Sequence, residues 1–173
     1  PNVGITPDNY KQAKVEYPVI YFLHGAFGNF TSWTVEVSPD IASYADKYHM
    51  LIVCPDGGWT SWYFDSPVDS TMRYETYVAK ELVGFIDSAY HTLPDKSKRA
   101  ITGLSMGGHG GLYLGLRHQD VYGACGSTSG GVDIRPFPGK WDIAKRLGTF
   151  TDKPGNWEKN TVINMPALAE GKP

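Results

Sequence analysis

Gly103-Leu104-Ser105-Met106-Gly107, continued by Gly108-His109-Gly110-Gly111, places a serine at the apex of a strand-to-helix turn. An apolar run, Arg99-Ala100-Ile101-Thr102, reads as the strand before it, and His109 to His118 reads as the helix after it. A chain that changes direction over so few residues bends sharply. Glycines on both sides of the serine remove the Cβ atoms that would obstruct the bend. Ser105 is then left exposed on a strained turn, the pattern of a nucleophile elbow. The same glycines would also suit a turn that only packs a helix closely on a sheet. The glycines at 107, 108, 110, 111 and 115 each lower helix propensity by about 1 kcal/mol relative to alanine. Close approach of the helix to the sheet is the expected compensation.

Working outward, Pro18-Val19-Ile20-Tyr21-Phe22-Leu23 is a buried strand, too short and too rich in β-branched and aromatic residues for a helix. It ends at His24-Gly25-Ala26-Phe27-Gly28, whose Ala26 N–H can join the N–H of Met106 to bind a developing oxyanion. His24 is expected to shape this loop without titrating in catalysis. A further strand, Met50-Leu51-Ile52-Val53-Cys54, stops at Pro55-Asp56-Gly57-Gly58, after which Trp59, Trp62, Tyr63 and Phe64 crowd a loop ending near Asp65. In an open α/β sheet, a loop at the carboxyl end of a strand faces the ligand crevice. Phe27, Trp59, Trp62, Tyr63 and Asp65 are therefore candidate substrate contacts. Loop aromatics that merely lid the core are the other reading, and Asp65 could equally cap the loop.

Pro1 to Tyr17 is polar, turn-rich and without periodicity, and reads as an arm. Ser38-Pro39-Asp40 reads as a helix start with a serine cap, followed by Ile41, Ala42, Tyr44, Ala45 and Tyr48 on one face. From Met72 to His91, the residues Tyr74, Tyr77, Val78, Leu82, Phe85, Ile86 and Ala89 recur at helical spacing, with Glu75 among the polar positions between them. His109 lies one turn beyond Ser105, but a side chain inside that helix points back along it and not toward Oγ. Val121 to Ser127 is a last strand. Residues 133–150 and 152–169 form short helices, the first closed by Gly148. Strands alternating with helices predict a single α/β domain over 1–173, with a doubly wound, mostly parallel sheet.

At 173 residues, with 41% hydrophobic and 20% charged residues, the composition is that of an ordinary globular domain. A net charge of -2 argues against nucleic acid or an anionic membrane as the main partner. No apolar run approaches the ~18 residues of a membrane span, and nothing in the pattern asks for a metal or other cofactor. Eleven Tyr, seven Phe and five Trp suit either a stacking surface for sugars or aromatic acyl groups, or a well-filled core. Cys54 and Cys125, each in a predicted strand, read as small buried hydrophobes and not as a disulfide.

Tyr-Phe-Leu-His-Gly at 21–25, Pro-Asp-Gly-Gly at 55–58 with Trp-Tyr-Phe-Asp at 62–65, Tyr77-Val78 with Glu81-Leu82, and Gly-Leu-Ser-Met-Gly-Gly-His-Gly at 103–110 resemble the α/β-hydrolase esterases related to esterase D, or S-formylglutathione hydrolase. That grouping includes feruloyl and acetylxylan esterases of carbohydrate esterase family 1 and the mycolyltransferases. The resemblance implies an α/β-hydrolase fold, Ser105 as the acylated nucleophile, and the Ala26 and Met106 amides as the oxyanion hole. It implies a serine carboxylesterase for carbohydrate-linked or small acyl esters; the sequence does not fix the compartment, a secreted or periplasmic one being slightly favoured over a cytoplasmic one. An acyltransferase on the same scaffold and a sugar-binding relic that lost catalysis are the alternatives.

The departure from the family pattern is at the triad. Its acid and histidine follow the serine in chain order, yet this sequence ends at Pro173, about where the acid-bearing strand is expected. The expectation is an internal piece of a longer esterase, truncated at both ends, with the triad Asp/Glu and His outside it. Asp133 is the one remaining acid with suitable topology, and no histidine follows it; His49 and His91 are expected to be solvated. The 173 residues alone should be nearly inactive, retaining at most the ~10³–10⁴-fold left to an oxyanion hole and binding. Unpaired sheet edges would favour pairing between copies.

Overall fold

The computed structural model describes residues 1–169. Asn2–Ile5 (β1) pairs antiparallel with Leu51–Pro55 (β3), so the expected arm begins as an edge strand, and turns follow at residues 8–12. Four residues are too few for a periodicity to declare themselves. Val19–Leu23 (β2) lies at the centre of the sheet, parallel to β3 on one side and to Arg99–Gly103 (β4) on the other. Ala124–Cys125 (β5) completes the order β1-β3-β2-β4-β5.

Helices cover both faces of this sheet. On one face lie residues 74–89 (α2) and Met106–Arg117 (α3), whose Val78, Leu82, Ile86 and Leu114 join Val19, Tyr21, Leu23 and Ile101 in the main core. On the other, Ile41–Tyr48 (α1) sets Ile41 and Ala45 against Ile52 and Cys54. β3 is buried at all five positions, whereas β2 alternates, with Ile20 and Phe22 only half-buried under α1 and Trp33. Each aliphatic side chain fully buried in this way stabilises the fold by roughly 1.5–3 kcal/mol. The expected mostly parallel, doubly wound α/β architecture is the one observed.

Several local expectations are corrected. α1 starts at Ile41 with Asp40 at its cap position, and the Ser38 hydroxyl donates to Asp40 Oδ1 (2.8 Å) instead of capping the helix. Tyr44 and Tyr48 stack on each other at 6.2 Å on the exposed side of α1. α2 is continuous, but its middle turn, Tyr77–Glu81, is wound as π-helix. One extra residue in a turn rotates everything after it by roughly 100° relative to everything before it. Phe85, expected in the core, is therefore 54% exposed, while Glu75, expected in solvent, is buried.

β5 is regular only at Ala124–Cys125, although the Gly123, Gly126 and Thr128 amides continue the ladder onto the Arg99, Ile101 and Gly103 carbonyls. Cys54 is buried as expected, but Cys125 sits on the sheet's edge and is exposed; both are free thiols. Beyond β5 come Ile143–Leu147 (α4), closed by Gly148 at φ 81°, and Pro154–Asn160 (α5). Among the described residues, no helix is long and apolar enough to cross a membrane, and no group of His, Cys, Asp and Glu is placed to hold a metal ion.

Candidate active site

β4 runs directly into α3 through Leu104 and Ser105. Ser105 is exposed and holds φ 56°, ψ -114°, a conformation that costs a non-glycine residue about 1–3 kcal/mol. Neighbouring backbone fixes it there: Ser105 N–H donates to Thr128 O (2.9 Å), Leu104 N–H to Leu23 O (3.1 Å) and Gly107 N–H to Leu104 O (2.8 Å). A Cβ at Gly107 would strike the Leu23 and His24 carbonyls, and one at Gly103 would strike the Gly107 carbonyl. The two readings of the glycines thus merge, because the strained turn exists only while α3 leans directly on the end of β2.

The loop after β2 approaches the serine from the other side. Ala26 and Ser105 line one crevice, and a Cβ on Gly25 would lie 3.4 Å from the Ser105 Cβ. Met106 opens α3, so its N–H has no acceptor within the helix. The Ala26 N–H likewise has no hydrogen-bond acceptor among the described residues. Two free amides therefore flank Ser105, one of them at the positive end of a helix dipole. His24 shapes this loop: its Nδ1–H donates to Gly25 O (2.7 Å), and its Nε2 accepts from Gly57 N–H (2.8 Å). Those partners assign the neutral tautomer and leave neither ring nitrogen for Ser105.

The crevice has a volume of about 240 Å³, and besides Ala26 and Ser105 it is lined chiefly by Trp62, Asp133, Ile134, Phe137, Trp141 and Ile143. Of the candidate contacts, Trp62 lies in this lining. Phe27 and Trp59 form an edge-to-face pair at 5.3 Å, 51% and 63% exposed, joined by the Phe27 N–H to Trp59 O bond (2.8 Å). Tyr63 is elsewhere: its ring is wholly buried and its hydroxyl donates to His24 O (2.9 Å). Asp65 also turns away, accepting the Thr76 N–H (3.0 Å) and pairing with Arg73 (3.2 Å), so it anchors the start of α2. Ile134, Phe137 and Trp141 were not anticipated. Their signal was an aromatic pair four residues apart following Gly130-Gly131, with no regular element to give it a direction.

The acids and histidines take up varied surroundings. Asp133 grips Arg135 through both oxygens (2.8 Å each), and that guanidinium holds its carboxyl below the usual range; Arg135 also reaches Glu158 (2.9 Å). Asp133 also lines the crevice, with its carboxylate committed to Arg135. His109 is fully buried, edge-on to Trp62 and Phe64 and stacked on Tyr113, with neither ring nitrogen hydrogen-bonded. Burial lowers its pKa to about 4. Glu75 receives Arg117 (2.9 Å) and His118 (2.7 Å) beneath α3. Burial raises its carboxyl, but the hydrogen bonds from His118 and Arg117 outweigh that and hold it at about 2. His49 ends α1 in the left-handed conformation, and His91 lies against Tyr10; both are exposed. Among the described residues, none of the five histidines hydrogen-bonds Ser105.

Comparison with known proteins agrees with this geometry. The Esterase family model matches residues 1–171. Esterase Rv1288 of Mycobacterium tuberculosis is 30% identical over 139 residues, covering 78% of this chain and 30% of that protein. An endo-1,4-beta-xylanase/feruloyl esterase of Xylanibacter ruminicola is 32% identical over 128 residues, covering 70% of this chain and 18% of that protein. A solved ferulic acid esterase superposes with a TM-score of 0.71 at 27% identity, covering 95% of this chain and 62% of that one. The chain therefore spans less than two thirds of each of these relatives. The strand order, the strained serine between two free amides and the match along nearly the whole sequence converge, and the chain belongs to the Esterase family, on an α/β-hydrolase fold.

Proposed function

We propose that this chain carries the nucleophile and oxyanion hole of a serine carboxylesterase that works through an acyl-serine intermediate. One observation carries the reading: Ser105 is exposed at φ 56°, beside a crevice flanked by the unpartnered amides of Ala26 and Met106. Ser105 Oγ attacks the ester carbonyl, the carbonyl oxygen becomes an oxyanion held by the two amides, and the alkoxide leaves with a proton. Water then repeats the attack on the acyl-serine and releases the acid. The proton from Oγ needs a base, and none of the five histidines hydrogen-bonds Ser105 among the described residues.

The crevice suits the acyl group. Trp62, Ile134, Phe137 and Trp141 make an apolar slot whose 240 Å³ accommodates one aromatic ring with a short linker, in keeping with the feruloyl activity named for two of the relatives. The exposed Phe27–Trp59 pair lies beside the oxyanion loop, where an alcohol leaving group emerges, and a sugar ring could stack there.

The test is intact-mass measurement after exposure to a fluorophosphonate probe, on the protein and on Ser105→Ala. One adduct is expected, mapping to Ser105 and lost in the variant. An adduct that persists in Ser105→Ala, or no adduct on a protein with native circular dichroism, overturns the assignment.

A further inference from the structure

The aromatic side of the crevice is not held by the sheet. Trp141 and Asp142 are consecutive residues in the left-handed region (φ 49° and 58°), and so are Trp62 and Tyr63 (φ 55° and 59°). Such strain persists only where the surroundings over-determine it. Here the surroundings are hydrogen bonds between the loop after β3 and the start of α4. Trp62 Nε1–H donates to Trp141 O (3.0 Å), and the Thr60 hydroxyl donates to Asp142 Oδ2 (2.9 Å). Arg146 Nε–H donates to Thr60 O (3.0 Å) and its Nη2–H to Thr60 Oγ1 (3.3 Å), while the Ser66 hydroxyl donates to Arg146 O (2.6 Å).

Thr60 is the hinge of this arrangement. Its side chain is buried, and its hydroxyl accepts from Arg146 while giving its one proton to Asp142. Both hydrogen-bonding capacities are used, and each ties the loop bearing Trp62 to the segment bearing Trp141. The two tryptophans, packed side by side in one wall with ring centroids 6.2 Å apart, are therefore tied to each other.

We propose that Thr60, Asp142 and Arg146 are positioning residues that hold the joined Trp62–Trp141 wall in place beside the crevice, and so select a flat aromatic acyl group over a flexible aliphatic one. The proposal rests on the reading of this crevice as the acyl site. None of the three contacts Ser105, so loosening them alters selectivity and leaves the serine's own reactivity in place.

The experiment is an isothermal calorimetric titration with methyl cinnamate and methyl butyrate in a Ser105→Ala background that prevents turnover. The starting protein should prefer methyl cinnamate by about tenfold. Thr60→Val, which keeps shape and removes the hydroxyl, should lower that preference at least about fivefold, because the hydroxyl's partners Asp142 and Arg146 are both charged. Asp142→Asn keeps a residue tolerant of φ above zero and should do the same. The double variant should lose no more than either single one, because both cut the same tie. Arg146→Lys should be intermediate, since lysine can reach only one acceptor at a time.

Unchanged preference in Thr60→Val and Asp142→Asn, or strictly additive losses in the double variant, overturns the positioning role while leaving the acyl site intact. Equal binding of the two esters by the starting protein refutes the acyl-site reading itself, and the positioning role with it. Fluorophosphonate labelling of the same substitutions with Ser105 restored should match the parent rate, which separates this failure from that of the nucleophile.

Discussion

The serine side of the crevice and its aromatic side are built by different means. Ser105 is held by main chain alone: carbonyls of Leu23, Leu104 and Thr128, glycines with no room for a methyl group, and a helix pressed on a central strand. Trp141 is held by side chains that reach across some eighty positions of sequence, Thr60 to Asp142 and Thr60 to Arg146. The first kind of construction is stiff and intolerant of change. The second can be retuned one residue at a time, which suits the selecting role proposed for this wall. Four of the eight non-glycine residues with positive φ among the described residues, Trp62, Ser105, Ser129 and Trp141, line this one crevice, so strain is concentrated on both of its sides.

The contrast is sharpest at Gly107. Gly107→Ala must move the Leu23 and His24 carbonyls, and a loss of more than about 3 kcal/mol in chemical denaturation is expected, together with loss of fluorophosphonate labelling. A Gly107→Ala protein within about 1 kcal/mol of the parent would falsify the claim that backbone contact makes the elbow.

Beneath the same helix, Glu75→Gln removes the charge that faces Arg117 and His118. A loss of about 3 kcal/mol near neutral pH is expected. The pH dependence has a definite sign. The folded carboxyl stays ionised down to about 2, whereas the unfolded one takes up its proton near 4.5. The Glu75 contribution is therefore complete above pH 4.5 and is lost as pH falls toward 2. Melting curves of parent and variant should converge in acid, and parallel curves would show that the pair does not anchor α3.

His109 gives a smaller effect in a different pH window. Its pKa is depressed from 6.5 to about 4, so the unfolded chain binds a proton that the folded chain refuses. Stability from this site is present above pH 6.5 and falls away as pH drops toward 4. His109→Phe should cancel about 2 kcal/mol of the loss between about pH 8 and about pH 5. If the pH slope is unchanged, the imidazole is not kept neutral by its aromatic surroundings.

The smallest cost to stability belongs to the aromatic wall. Trp141→Ala truncates a half-exposed ring and should cost only about 1 kcal/mol in denaturation, while weakening methyl cinnamate binding about tenfold. A stability loss as large as that of Gly107→Ala would erase the distinction between the two sides.

Much of this was legible in the chain. The elbow could be read from Gly103 to Gly111 because a strand-turn-helix with an exposed serine has few local solutions, and the role of His24 followed from its place at the end of β2. Glu75 and Phe85 were misplaced because helical periodicity assumes one winding throughout, and the π turn at Tyr77–Glu81 breaks that assumption without a signature in residue type. Tyr63 and Asp65 were grouped with Trp62 by adjacency. Consecutive left-handed residues at Trp62 and Tyr63 then separate those neighbours, turning Tyr63 under β2 and leaving Trp62 in the crevice wall.

By itself, the amino-acid sequence determined the strands, the glycine pattern and the serine they present, because each depends on local sterics and on apolar periodicity. The depth and chemistry of the crevice were decided only in three dimensions. Its far wall comes from an irregular segment, residues 129–143, positioned by hydrogen bonds to Thr60, Trp62 and Ser66. Such bonds join single side chains over long sequence separations, and no repeating pattern announces them before the chain has folded.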